Sequence, residues 1–199
     1  MDKSPAPALL PILRSKQQGE VLFFLLGNPE KELSLTDLSK QLSFPYASIH
    51  REVERSLAAG LVTSRSVGRT RLIQANTESP FFESLADLLL KAFGPPVVLG
   101  KLLGSVDGVA EAFVIGSWAS AYQGVKQERP IGDIDVLVLG DPDRDALYTV
   151  ATDAERRLGR EVQVVIREQG WLENGSGAFH ANVQSGHRVA IEFMPAQSE

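Results

Sequence analysis

Two aspartates separated by one residue are the strongest candidates for chemistry in this 199-residue chain. Asp133 and Asp135 stand at the start of an apolar run, 136–139, that has the composition of a buried strand. Because side chains alternate along a strand, both carboxylates are expected on the same face. Neighbouring carboxylates repel each other unless a divalent cation or a proton lies between them. The pair therefore predicts a site for a divalent cation.

A Gly-Ser pair lies upstream of the two aspartates. Gly116 and Ser117 join an apolar run, 112–115, to a short helical patch, 118–122. Backbone N–H groups at the start of a helix can bind an anion such as a phosphate. A carboxylate pair that holds a metal beside a phosphate site is what metal-assisted phosphoryl transfer requires.

The stretch 113–141, FVIGSWASAYQGVKQERPIGDIDVLVLGD, resembles the nucleotidyltransferase superfamily with the DNA polymerase beta-type fold. The family pattern is Gly-Ser, then ten or more residues, then Asp-x-Asp entering a strand. The resemblance implies that Gly116 and Ser117 bind the phosphates of a nucleoside triphosphate. It also implies that Asp133 and Asp135 hold Mg²⁺ and act in catalysis.

The chain departs from this family pattern at two positions. Gln163 stands where active members carry a third carboxylate, and Gly132 replaces the usual serine before the first aspartate. Glutamine is neutral and cannot act as a general base near neutral pH. Glu161, two residues away on the same strand face, is either a substitute catalytic carboxylate or a surface acid. The pattern predicts a site for cation and nucleotide, and it leaves open whether the domain is an active enzyme.

The N-terminal third has a different periodicity, with three amphipathic helices followed by two short strands. The predicted elements are helices over 16–26, 34–42 and 46–59, and strands over 61–66 and 70–75, joined by a turn at Gly68-Arg69. This is the order of a winged helix-turn-helix. The segment PYASIHREVERSLAAGLVTSRSVGRTRLIQAN resembles ArsR/MarR-like winged-helix regulators, and the likeness covers roughly residues 15–76.

Polar and basic side chains are expected on the outer face of the third helix and on the wing, which is the hairpin of the two strands. In a complex with double-stranded DNA, the helix would lie in the major groove and the wing would contact the backbone or minor groove. The candidate DNA-binding residues are Tyr46, Ser48, His50, Arg51 and Arg55 on the helix, and Arg65, Arg69 and Arg71 on the wing. The alternative is a solvated helix face and a charged hairpin.

Net charge is uneven along the chain. The overall formal charge is −5, but residues 1–75 carry +3 and residues 76–199 carry −8. The mildly basic N-terminal part is compatible with a nucleic-acid partner, whereas the acidic remainder is not. This asymmetry favours two modules.

Between the modules, the sequence predicts a helix that begins at Ser79-Pro80 and a second apolar segment over 97–103. The predicted architecture is α+β: a winged helix-turn-helix over 1–76, linker or dimerisation helices over 77–104, and a small α/β nucleotidyltransferase-like domain over 105–199. In ArsR-like regulators the helices that flank the winged helix commonly form the dimer interface. The resemblance therefore implies a homodimer that reads a two-fold related DNA site.

Two functions remain open from the sequence. The first is a DNA-binding transcriptional regulator whose second domain senses a ligand or is vestigial. The second is an active Mg²⁺-dependent nucleotidyltransferase that transfers a nucleoside monophosphate to a hydroxyl, including the antitoxin-type variant. The chain has no cysteine and no long apolar run, so we expect a cytoplasmic protein without disulfides and without a membrane partner.

Overall fold

The computed structural model describes residues 13–125 and 132–194. The chain divides into two compact units, unit 1 up to Phe93 and unit 2 from Gly94 onward. Helices and strands are mixed in both units, as expected for an α+β protein. Within the described ranges, every helix is too short or too polar to cross a membrane.

Unit 1 contains four helices and three strands within its described residues. They are α1 (Lys16–Leu26), β1 (Leu33–Ser34), α2 (Leu35–Leu42), α3 (Tyr46–Ala58), β2 (Val62–Val67), β3 (Thr70–Ala75) and α4 (Phe82–Phe93). The strands form an antiparallel sheet in the order β1-β3-β2. From α1 to β3, this order is that of a winged helix-turn-helix, with β2 and β3 as the wing.

Local chemistry explains how α2 and α3 are joined. The Ser34 hydroxyl accepts a hydrogen bond from the Asp37 N–H at 3.1 Å, which caps α2. Ser43 then adopts a left-handed conformation with φ of 56°, and the Phe44 N–H donates to the Ser39 carbonyl. Pro45 precedes α3, so the chain turns sharply between the two helices. The apolar faces of α1, α2 and α3 meet the sheet in one core that includes Phe24, Leu38, Ile49, Val53 and Ile73.

The fourth helix completes unit 1 by packing on α1. Gly19 lies so close to the Phe93 ring that a Cβ there would be 2.0 Å from its nearest carbon. The predicted start of this helix at Ser79-Pro80 is wrong. Ser79 is buried, its carbonyl closes a turn with the Phe82 N–H, and the helix begins at Phe82.

Unit 2 contains five helices and four strands within its described residues. They are α5 (Pro95–Leu103), β4 (Val109–Ile115), α6 (Gly116–Tyr122), β5 (Ile134–Gly140), α7 (Arg144–Leu158), β6 (Val162–Arg167), α8 (Trp171–Asn174), α9 (Ala178–Ser185) and β7 (Arg188–Ala190). The sheet has the order β6-β5-β4-β7. Strands β5 and β6 are parallel, and the other pairs are antiparallel.

Strand alternation gives the sheet of unit 2 two different faces. Leu137 and Leu139 of β5 are buried together with Trp171 and Val183, which come from α8 and α9. Asp135 belongs to this same face because it is two residues before Leu137. On this face of β5, the buried apolar side chains therefore end at Leu137, and the next side chain is the carboxylate of Asp135.

The two helices expected to link the domains are divided between the units. Helix α4 packs on α1 in unit 1, and α5 packs on α7 in unit 2. The apolar segment over 97–103 is the helix α5, which starts with two prolines at positions that need no backbone N–H donor. The dimerisation role of these helices stays a prediction.

Candidate functional site

Helix α3 presents the predicted polar residues to solvent. Ile49 and Val53 are fully buried and fix the inner face of the helix. Tyr46, His50 and Arg51 are exposed on its outer side. A helix anchored in this way has one face open to solvent, and that face carries side chains that the sequence predicts to contact DNA.

Near the start of α3, neighbouring polar side chains contact each other. Arg51 donates a hydrogen bond to the Ser48 hydroxyl at 3.2 Å. The rings of Tyr46 and His50 lie 6.3 Å apart between centroids. Both pairs lie within the first two turns of the helix.

Several of the predicted DNA-binding cations form ion pairs within unit 1. Arg55 lies 2.8 Å from Glu52, and Arg71 of the wing lies 2.6 Å from Glu54 on α3. His50 is also within 3.9 Å of the Glu54 carboxylate. Glu54 thus connects the wing to the helix.

At the base of the wing, Arg65 makes two hydrogen bonds to the Glu32 carboxylate. The hydrogen bond from Arg65 is the main cause that lowers the pKa of Glu32, with a further contribution from the positive charge of the guanidinium. This ion pair joins β2 to Glu32, the residue before β1.

The second candidate site lies in unit 2, at the start of β5. Asp135 is the register partner of Ile115 on β4 and of Gln163 on β6. The Gln163 amide donates a hydrogen bond to Asp133 Oδ2 at 3.2 Å. Both aspartates and Gln163 therefore meet at one end of the sheet, and we name this cluster the acidic site.

Gly116 closes the acidic site on the side of β4. Its φ of 70° is in the left-handed region, which favours glycine. A Cβ at this position would lie 2.9 Å from Asp135 Oδ2, with no intervening group. Glycine is needed here for its backbone conformation and for the close approach of the carboxylate.

Burial is the main cause that raises the pKa of the Asp135 carboxyl, and the negative charge of Asp133 raises it further. Both effects oppose the ionised form of Asp135. A bound cation would reverse this preference, because it would compensate both carboxylates at once.

The donor set of the acidic site fits one Mg²⁺ ion. Mg²⁺ takes oxygen ligands and is commonly held by one or two carboxylates, with waters and substrate phosphates completing its shell. Asp133 and Asp135 would supply the carboxylates. In the described part of the chain, no group of three or more His, Asp or Glu side chains could hold a metal. Glu161 is exposed before β6, and its backbone carbonyl accepts a hydrogen bond from the Ile134 N–H of β5.

Gly132, the residue before Asp133, is held by an indole. Trp118 of α6 is buried, and its Nε1–H donates to the Gly132 carbonyl at 3.0 Å. Trp118 therefore positions the chain that enters the acidic site. Ser117 follows Gly116 in the first turn of α6 and is partly buried.

No protein-family model matches the chain, and no curated protein matches it. Among solved structures, reduced HlyU from Vibrio cholerae N16961 is similar to part of it, with 22% sequence identity and a TM-score of 0.35. That similarity covers 44% of this chain and 86% of HlyU.

Sequence reasoning missed the carboxylates that pair with the basic residues of unit 1. Glu52 and Arg55 are three residues apart on a helix, so their contact was available from spacing alone. The pairs Arg65–Glu32 and Arg71–Glu54 were not, because 33 and 17 residues separate the partners.

Proposed function

We propose that this chain is a DNA-binding transcriptional regulator whose unit 1 contacts double-stranded DNA through α3 and the wing. The observation that carries the proposal is the free face of α3. Buried Ile49 and Val53 hold the helix in the core, whereas His50 and Arg51 are exposed and Ser48 is partly exposed. Helix-turn-helix proteins place this kind of face in the major groove.

In this proposal the residues divide by the type of contact. Ser48, His50 and Arg51 lie in the first half of α3, the part of a recognition helix that contacts base edges. Arg69 lies at the tip of the wing, where it can contact a phosphate or the minor groove. Tyr46, at the start of α3, borders the same surface.

We also propose a homodimer, because apolar side chains are exposed on α4 and at the residue just before it. Phe81 and Leu88 are 63% and 41% exposed and lie two helical turns apart. Leu89 and Phe93, which are buried, occupy a different side of the helix. Covering Phe81 and Leu88 with a second copy would remove this apolar surface from water and place two α3 helices on one DNA site.

Selection from a random library of DNA duplexes tests the DNA-binding proposal. The full-length wild-type chain is expected to enrich a motif with two related half-sites. Arg51→Gln should abolish the enrichment, whereas Arg156→Gln, on α7 of unit 2, should leave it intact. A wild-type chain that enriches no motif, or an Arg51→Gln variant that enriches the same motif equally well, would contradict the proposal.

A second candidate function, in unit 2, is favoured by the geometry around Asp135. We propose that Asp133 and Asp135 hold Mg²⁺ and that Gly116 and Ser117 contact the phosphates of a nucleoside triphosphate. Two observations support this proposal. Gly116 closely approaches Asp135, and the negative charge of the adjacent Asp133 opposes the ionisation of Asp135. When bound, the cation would neutralise phosphate charge.

The position of Gln163 favours nucleotide binding by unit 2 over catalytic nucleotidyl transfer. Gln163 is opposite Asp135 and donates its amide hydrogen to Asp133. A glutamate or aspartate at this place would take up a proton from an attacking hydroxyl, and a glutamine amide cannot. In the proposed regulator, unit 2 is a ligand-binding domain; the active nucleotidyltransferase is the alternative, with Glu161 as its remaining candidate base.

Titration calorimetry with ATP and the other nucleoside triphosphates, with and without Mg²⁺, tests the second candidate. Mg²⁺-dependent binding to the wild-type chain should disappear in Asp133→Asn/Asp135→Asn. The matched control is Asp107→Asn/Asp141→Asn, which removes two exposed acids elsewhere in unit 2. No binding at millimolar nucleotide, or equal binding by both variants, would remove the proposed site.

A further inference from the structure

We propose that the five arginines of α3 and the wing form two functional groups, and that Arg51 and Arg69 are the two whose charge is available to DNA. Arg55, Arg65 and Arg71 are paired with Glu52, Glu32 and Glu54, and the last two pairs also hold the wing in place. This inference rests on the proposed DNA-binding function, and it assigns different roles to cations that the sequence treats as equivalent.

The five arginines differ in the groups that they contact. Arg55, Arg65 and Arg71 each lie within hydrogen-bond distance of a carboxylate. Arg51 instead donates to the neutral hydroxyl of Ser48. In the part of unit 1 that the structure describes, no carboxylate is within ion-pair distance of Arg51 or Arg69. These two arginines keep their full positive charge at the surface.

A paired arginine has to exchange its carboxylate partner for a phosphate when it contacts DNA. Exposed ion pairs contribute little to stability, so a phosphate can replace the carboxylate at small cost within the protein. The released glutamate, however, remains within one Debye length of the DNA, where it repels the backbone. An arginine and its glutamate together therefore add little net attraction to a phosphate.

Two of the ion pairs also hold elements of unit 1 in position. Glu54 lies on α3 and Arg71 on β3, so their contact fixes the wing relative to the recognition helix. The contact between Glu32 and Arg65 likewise fixes β2 relative to the residue before β1. Glu52 is the least exposed of the three acids and contacts both Arg14 and Arg55. Glu54 is the most exposed, so it is the best place to test the assignment.

The test is the salt dependence of binding to a fluorescent 24-base-pair duplex of mixed sequence, measured by anisotropy between about 50 and 200 mM NaCl. Each phosphate contact contributes about 0.9 to the slope of log K against log salt, which over this range is about 3.5-fold in affinity. On a duplex of mixed sequence, which lacks the selected motif, both Arg51 and Arg69 are expected to contact phosphates, so Arg51→Gln and Arg69→Gln should each reduce the slope by about 0.9, and Arg71→Gln by less than half as much.

Glu54→Gln should release Arg71, tighten binding and raise the slope by about 0.9. The same change in an Arg71→Gln background should leave the slope unchanged. Glu20→Gln, which removes an acid of α1, is the matched control and should have no effect. Circular dichroism of each variant confirms that it is folded.

Two results would overturn the assignment: Arg71→Gln lowers the slope as much as Arg51→Gln, or Glu54→Gln acts equally in both backgrounds. The second result would mean that Glu54 only repels DNA. If the wild-type chain shows no salt-dependent duplex binding, the proposed function and this inference fail together. If wild-type binding is normal and the slopes rank differently, only the inference fails.

Discussion

Asp135 and Gln163 face each other across the parallel pair β5 and β6, at the end of the sheet where Gly116 approaches. An amide therefore lies beside two carboxylates, at the position where the nucleotidyltransferase pattern has a third carboxylate. The amide satisfies one oxygen of Asp133. It adds no negative charge beside Asp135, whose pKa burial and the charge of Asp133 already raise.

Replacing Gln163 by glutamate should strengthen cation binding. The third carboxylate adds a charged oxygen ligand, so we expect Mg²⁺ affinity to rise about tenfold, equivalent to about 1.4 kcal/mol. Without Mg²⁺, the added charge should lower the unfolding temperature, because three carboxylates repel one another. Titration calorimetry and thermal unfolding in EDTA measure the two effects. Gln169→Glu, an exposed position after β6, is the control; equal Mg²⁺ affinity in both variants would contradict the prediction.

Replacing Gly116 by alanine should displace Asp135. The added Cβ would lie 2.9 Å from Oδ2, and the left-handed backbone at 116 disfavours any L side chain by about 1–2 kcal/mol. Gly124 separates the two effects, because its φ of 83° is similar and no atom lies within 4 Å of a Cβ there. Both variants should lose similar stability, and only Gly116→Ala should lose Mg²⁺ binding in calorimetry. Loss in both would assign the effect to the backbone alone.

The raised pKa of Asp135 predicts how stability depends on pH. Folded Asp135 holds its proton more tightly than the unfolded chain, whose carboxyl has the ordinary value of 3.8. The contribution of this group to stability is therefore complete below 3.8 and is lost as pH rises through the folded pKa. In EDTA, Asp135→Asn should unfold at a higher temperature than wild type at pH 7, and the difference should vanish at pH 3. A wild-type chain that is the more stable at pH 7 would show that the aspartate is stabilised there by other contacts.

The sequence predicts elements well where one local signal dominates. The stripe of Ile49 and Val53 places α3, and Gly68-Arg69 places the wing turn, which is confirmed by the pairing of Val67 with Thr70. The alternation at Asp133 and Asp135 likewise predicts their common face. Each of these signals depends on spacing within a few residues.

Features that depend on tertiary contacts were missed. The strand β1 has only two residues, and it exists because Leu33 and Ser34 pair with β3 some forty residues later. The hydrogen bond between Gln163 and Asp133 spans 30 residues and two strands. Local propensity contains no information on such pairs, so the partner of a charged or polar side chain has to be observed.

Introducing charge on the exposed side of α4 should separate the proposed dimer. Phe81→Glu/Leu88→Glu places two carboxylates where Phe81 and Leu88 are exposed, so a second copy would have to bury them without a partner. Sedimentation velocity should show the wild-type chain at twice its 21.6 kDa mass and the variant at the monomer mass.

The control for the dimer test is Tyr148→Glu, because Tyr148 is 76% exposed on α7 of unit 2. This variant should remain a dimer. The separated chain should also bind the selected DNA motif at least tenfold more weakly, since each monomer then contacts one half-site alone. A wild-type chain that sediments as a monomer, or a charged variant that remains a dimer, would show that this side of α4 is not the interface.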